Sequence, residues 1–149
     1  MSPLSFEPID MAALGRAVTG PERGGVVSFV GLVRNHHEGR EVVELEYSAY
    51  GPMAERAIAA ITAEVQQGWP VRVAVAHRLG RLAIGEAAVA VVVAGGHRGE
   101  AFAACRYAIE EVKRRVPIWK REKYADGSEA WVDPTAPGGV RPTGPEARG

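Results

Sequence analysis

The sequence of 149 residues holds a single cysteine, Cys105. One thiol excludes an intrachain disulfide framework and any zinc or iron–sulfur centre built from cysteines of one chain. Long apolar runs are also missing. The longest, residues 87–94, is eight residues, against the ~20 that a membrane-spanning helix needs. Neither sign of charge is in excess. Eighteen Lys plus Arg offset 18 Asp plus Glu, which argues against a dedicated binder of nucleic acid or another polyanion. The four histidines show neither HxxxH nor HExxH spacing, so no metal site is expected; no bound cofactor is expected either. The first residues include Glu7 and Asp10 and lack a basic stretch followed by an apolar one, so no signal peptide is expected. The expectation is a soluble cytoplasmic protein that does not engage membranes or nucleic acid.

What is present is an ordinary globular composition, 46% hydrophobic and 24% charged, followed by a contrasting end. The last 17 residues, from Asp133, contain four Pro and four Gly. Such a stretch buries too little apolar area to offset its ordering entropy. The expected organisation is therefore one catalytic domain over residues 1–132 and a mobile tail over 133–149. Alternation in Val43-Glu44-Leu45-Glu46-Tyr47-Ser48-Ala49 and in Val71 to Leu79 predicts half-exposed antiparallel strands. The more uniformly apolar stretches Val26–Val33 and Ala87–Ala94 predict central strands. Gly85-Glu86 reads as a hairpin turn before the second of these. Helical spacing of Ala54, Ile58, Ile61 and Val65 after Pro52 predicts one long helix. Phe102, Cys105, Ile109, Val112 and Val116 mark a second, stopped by Pro117. A short helix is expected at Asp10–Val18 and a closing strand at Glu129–Val132. The fold class is α+β, with helices packed on a largely antiparallel sheet.

Three stretches carry candidate chemistry. Gly95-Gly96-His97-Arg98-Gly99-Glu100 joins a buried strand to a helix, whose free N–H groups beside His97 and Arg98 suit a phosphate or carboxylate. Read alone, it is equally an ordinary strand-to-helix turn. Residues 97–123 hold eight Lys plus Arg and four Asp plus Glu. Glu110–Arg114 and Glu111–Arg115 at i,i+4 spacing mark a solvated face. Lys113 instead borders the apolar stripe, where it either snorkels or serves as a base or nucleophile with a lowered pKa. Arg34 sits at a strand end in RNHHEGR, where His36 and His37 point apart. His77 and Cys105 read as core residues.

These residues together resemble one family, the large, catalytic subunit of molybdopterin synthase. The matching stretches are GGVVSFVGLVRNHHEGREV, LEYSAYGPMAERAI, VAHRLGRLAIGE, GGHRGEAFAACRYAIEEVKRRVPIWKRE and SEAWV, in the family's order over residues 24–132. The resemblance implies a hammerhead-type mixed α/β fold and a homodimer of large subunits within a heterotetramer. It also implies a small ubiquitin-like carrier subunit with a C-terminal thiocarboxylate, and a sulfurtransferase activity. The substrate would be cyclic pyranopterin monophosphate, which gains the dithiolene of molybdopterin in molybdenum cofactor biosynthesis. The family's substrate-contact positions fall on Leu32, Val33, Arg34, His97, Arg98, Lys113, Lys120, Arg121 and Glu122. Its two catalytic lysines match Lys113 and Lys120. Two other classes fit parts of the sequence: a non-catalytic scaffold for a ubiquitin-like partner, and a nucleic-acid-binding module built on the basic and aromatic KRRVPIWKREKY.

Overall fold

The computed structural model describes residues 2–133 and the backbone of Val140–Arg141. The elements in chain order are β1 (Leu4–Ser5), α1 (Met11–Val18), β2 (Gly25–Leu32), β3 (His36–His37), β4 (Arg40–Ala49), α2 (Gly51–Gly68) and β5 (Val71–Arg78). β6 (Gly80–Ala83), β7 (Ala87–Gly95), α3 (Arg98–Arg115), β8 (Ile118–Tyr124), β9 (Glu129–Val132) and β10 (Val140–Arg141) complete the chain. The α+β class is as expected, with one difference: there are two sheets. The first has the order β1-β5-β7-β2. The second has the order β10-β9-β8-β4-β3, with β6 also paired to β4. Every pairing is antiparallel except β1 with β5.

The main core lies between the first sheet and the helices α2 and α3. Val71, Val73 and Val75 of β5 and Val89, Val91 and Val93 of β7 present one face to Ile58, Ile61 and Val65 of α2. On the other face α1, capped by the Asp10 side chain on the Ala13 N–H, seats Val18 against Val92 and Ala94. A satellite cluster of Val33, Val42, Leu45, Leu82, Ala88 and Tyr124 joins the two sheets.

Four local expectations are corrected. The stretch expected as a central strand, β2, lies at the edge of its sheet, with Val26, Phe29 and Leu32 exposed. Gly85-Glu86 does not close a hairpin between β6 and β7. β6 pairs with β4 instead, so the turn carries the chain from one sheet to the other. A register shift between Val42 and Glu44 turns Val42 inward and Val43 outward, because a bulge reverses the alternation upstream of it. Finally, the buried stripe of α3 is Ala101, Ala104, Cys105, Ala108 and Val112, while Phe102 is 60% exposed. Small side chains let α3 approach the sheet closely, which leaves no room for a phenyl ring there. Of the expected tail, Asp133 is buried and Val140–Arg141 pair with β9; the rest lies outside the described residues. Among the described residues no helix is long and apolar enough to cross a membrane.

Candidate functional site

The seam between the two sheets opens at the C-terminal end of α3. A cavity of about 100 Å³ there is lined by Gly31, Leu32, Val33, Arg34 and His36, by Leu45 and Tyr47, and by Lys113, Lys120 and Glu122. A second of about 50 Å³ continues behind it, with Tyr47, His77, Val112, Lys113 and Lys120 in its wall. Each side chain is aimed by its element. Arg34 follows the end of β2. Tyr47 and Lys120 face each other in register across β4 and β8. Lys113 occupies the last turn of α3, stopped at Val116 before Pro117. Gly31 sits beside Val89 of β7: a Cβ there would lie 2.8 Å from the Val89 side chain.

The electrostatics of this cavity are uneven. Among the described residues Arg34 and Lys113 have no carboxylate partner within ion-pair distance. Lys113 lies at the solvent-accessible mouth, yet burial of its surroundings, then the charges of Lys120 and Arg34, hold its pKa below the usual lysine value. Lys120 Nζ lies 3.5 Å from Glu122 Oε2. Glu122 is 1% exposed, and its Oε1 accepts hydrogen bonds from Tyr124 O–H at 2.7 Å and His37 Nδ1–H at 2.8 Å. His77 donates Nδ1–H to the Arg78 carbonyl at 2.8 Å, and burial pushes its pKa down to about 4. Burial, then the Glu122 charge, pushes Tyr47 up to about 12. The arrangement offers cations to an anionic ligand beside an amine with a raised share of its neutral, nucleophilic form. Among the described residues no cluster of three His, Cys, Asp or Glu is placed to hold a metal.

The family model described as MoaE protein matches residues 4–115. The chain belongs to the MoaE family. It is similar to the molybdopterin synthase catalytic subunit 1 of Mycobacterium tuberculosis, 47% identical over 130 residues that span 87% of this chain and 88% of that one. The molybdopterin synthase catalytic subunit of Nostoc sp. is 44% identical over 131 residues, 87% of this chain and 79% of that one. Among solved structures, molybdopterin synthase from Staphylococcus aureus superposes with a TM-score of 0.83 at 38% identity, covering 88% of this chain and 97% of that one.

Within this MoaE fold six of the nine expected site residues, Leu32, Val33, Arg34, Lys113, Lys120 and Glu122, line one cavity. The other three lie elsewhere in the chain. Arg121 points to the opposite face of β8, where it pairs with Glu46 at 2.5 Å and Glu129 at 3.3 Å. His97 and Arg98 sit at the start of α3, and fifteen residues of helix put Arg98 about 22 Å from Lys113. His97 borders a separate open cleft with Arg23, Arg72 and Glu100. The sequence reading did not single out Tyr47, which alternation marks as one more inward strand residue, or His36, which lines the cavity. Trp119 and Tyr124 are buried, so KRRVPIWKREKY offers no aromatic platform for stacked bases.

Proposed function

We propose that this chain is the catalytic subunit of a molybdopterin synthase. It takes sulfur from the C-terminal thiocarboxylate of a small ubiquitin-like carrier subunit and transfers it to cyclic pyranopterin monophosphate, forming the dithiolene of molybdopterin. Each carrier delivers one sulfur and leaves as a carboxylate. The observation that carries this reading is the convergence of Arg34, Lys113 and Lys120 on one cavity in a MoaE chain, with the Lys113 pKa held down by its surroundings. Thiocarboxylate and phosphate are both anions, and unpaired cations serve both. Lys113 and Lys120 are the catalytic pair, as base, acid or acyl acceptor. Leu32, Val33, Arg34 and Glu122 form the rest of the substrate wall. The reaction belongs to the cytoplasm.

His97 and Arg98 enter this site from a second copy of the chain. Among the described residues β2 has an unpaired edge flanked by exposed Val26, Phe29, Leu32 and Phe102, an apolar strip suited to a homodimer. The Gly25 end of β2 lies close to the start of α3, where a Cβ at Gly25 would sit 3.4 Å from the Arg98 backbone nitrogen, and its Leu32 end leads to Arg34. Two β2 edges paired antiparallel across a twofold axis bring each Gly25 end beside the other copy's Leu32 end. Arg98 of one copy then approaches Arg34 and Lys113 of the other. With one carrier at each site the assembly is a heterotetramer.

The test mixes the chain with a thiocarboxylated carrier and the cyclic pterin. Molybdopterin and desulfurised carrier are expected. Recovery of both reactants unchanged, after the carrier has bound, would leave the scaffold reading in its place.

A further inference from the structure

We infer that His37 and Tyr124 are positioning residues that hold Lys120 in its working place by locking the carboxylate of Glu122. The inference rests on Lys120 acting in the proposed reaction. A glutamate head group turns broadly about its last torsion, so a free Glu122 would present either oxygen, at many angles, to its neighbours. Here one oxygen is spoken for twice. Oε1 takes the Tyr124 O–H at 2.7 Å and the His37 Nδ1–H at 2.8 Å. That leaves Oε2 toward Lys120 Nζ, 3.5 Å away. A carboxylate only accepts, so both neighbours donate to it, and neither competes with the ammonium for Oε2. Lys120 is otherwise a point charge on a flexible four-carbon stem, and this contact is its one ion pair among the described residues.

The two donors are themselves anchored. His37 lies in a hairpin of β3 on β4 whose turn residues Glu38 and Gly39 have φ of 51° and 79°. Two successive positive φ values mark the tight turn that suits paired strands. The register sets His37 opposite Arg40. Arg40 in turn stacks its guanidinium 3.6 Å over the Tyr124 ring and hydrogen-bonds to Asp126 and Ser128 beyond β8. The hairpin is thus fastened beside Glu122, whose other oxygen meets Lys120 in the cavity wall. RNHHEGR therefore has two roles in sequence order: Arg34 and His36 line the cavity, and His37 holds the carboxylate that Lys120 meets.

Three variants test this beside wild type: His37→Ala, His37→Asn and Tyr124→Phe. The readouts are single-turnover sulfur transfer at saturating pterin, pterin KM, carrier affinity and melting temperature. His37→Ala should slow transfer by about ten- to a hundred-fold, the scale expected when a reacting group is displaced by ~1 Å, with KM and carrier affinity within about two-fold. His37→Asn keeps an N–H near the Nδ1 position and should restore most of the rate. Tyr124→Phe removes one donor and should fall between. Should His37→Ala fail to fold, Tyr124→Phe decides alone. Wild-type rates in folded His37→Ala or Tyr124→Phe would overturn the inference, as would equal losses in Ala and Asn at position 37. Lys120→Ala, run in parallel, separates the two layers. If it transfers sulfur like wild type, the assignment of Lys120 fails; if it is inactive while His37→Ala is normal, only the positioning role fails.

Discussion

The lowered pKa of Lys113 has charged neighbours among its causes, and these can be removed one at a time. Burial is the first cause of its lowered pKa, and the charges of Lys120 and Arg34 follow. Arg34→Ala deletes one of those cations, so the Lys113 pKa rises toward its ordinary value. The limb of the single-turnover pH profile that needs the neutral amine should therefore move to higher pH in Arg34→Ala. A limb that stays in place would detach Lys113 from that titration. Lys113→Ala should abolish transfer with carrier binding intact. His77 makes a prediction about stability. Its folded pKa is about 4, below the ~6.5 of an unfolded histidine. Between these values the unfolded chain binds the extra proton. The contribution is thus fully present above pH 6.5 and is lost as pH falls from there through 4. At ~1.4 kcal/mol per unit this amounts to about 3 kcal/mol at most. His77→Gln should flatten that slope in urea midpoints taken at pH 7 and pH 4.5; parallel slopes would refute it. Sequence made Lys113 legible as a lysine beside an apolar stripe. Tyr47 was not, because alternation distinguishes in from out and cannot tell a core face from a cavity wall.

At the scale of elements, α3 shows why side-chain size decides what helical spacing leaves open. Its Phe, Ile and Val spacing implies a stripe that the alanines displace, since only small residues permit the close contact with β2 and β7. Ala108→Leu should cost about 1–3 kcal/mol by overpacking, measured by denaturant unfolding. On the outer face one expected i,i+4 pair forms, Glu111–Arg115 at 3.1 Å, and the other, Glu110–Arg114, does not. Arg114 turns to Glu111 at 2.5 Å, and Glu110 pairs with Arg106. Arg115 bridges to Glu64 of α2 at 2.7 Å, joined there by the Tyr107 hydroxyl. These bonds, Arg115 first, lower Glu64 to about 2. The clamp is therefore intact above pH ~4.5 and is lost as pH falls through about 2. Arg115→Ala should lower the melting temperature at pH 7 and weaken the loss of stability on acidification. Arg114→Ala, at the exposed surface, should stay within about 0.5 kcal/mol of wild type. Equal melting temperatures for the two variants would mean that Glu64 clamps nothing. Local pattern placed all three helices to within a residue or two, because caps and Pro stops are written in sequence. Sheet partners were not legible: β6 precedes a turn that looks like a hairpin to β7, and only tertiary packing sends it to β4.

Apart from Arg121, the cations expected at the site fall in two distant places, the Lys113–Arg34 cavity and the Arg98 turn, at opposite ends of α3. A one-chain site would use only the first. A site shared across paired β2 edges would use both, and the apolar strip of Val26, Phe29, Leu32 and Phe102 would give the pairing its driving force. Phe29→Glu should then yield a monomer by sedimentation and lose sulfur transfer with it. The sharper test is complementation. Lys113→Ala and Arg98→Ala homodimers should each be inactive, since every site in them lacks one member. In a mixed dimer one site lacks both, while the other joins an intact Lys113 from one copy to an intact Arg98 from its partner. Random exchange makes half of the dimers mixed, so about a quarter of wild-type activity should appear on mixing. If each cavity used the Arg98 of its own chain, every site in the mixture would still lack one residue and no activity would return. Absence of recovery after verified subunit exchange would therefore confine the site to a single chain.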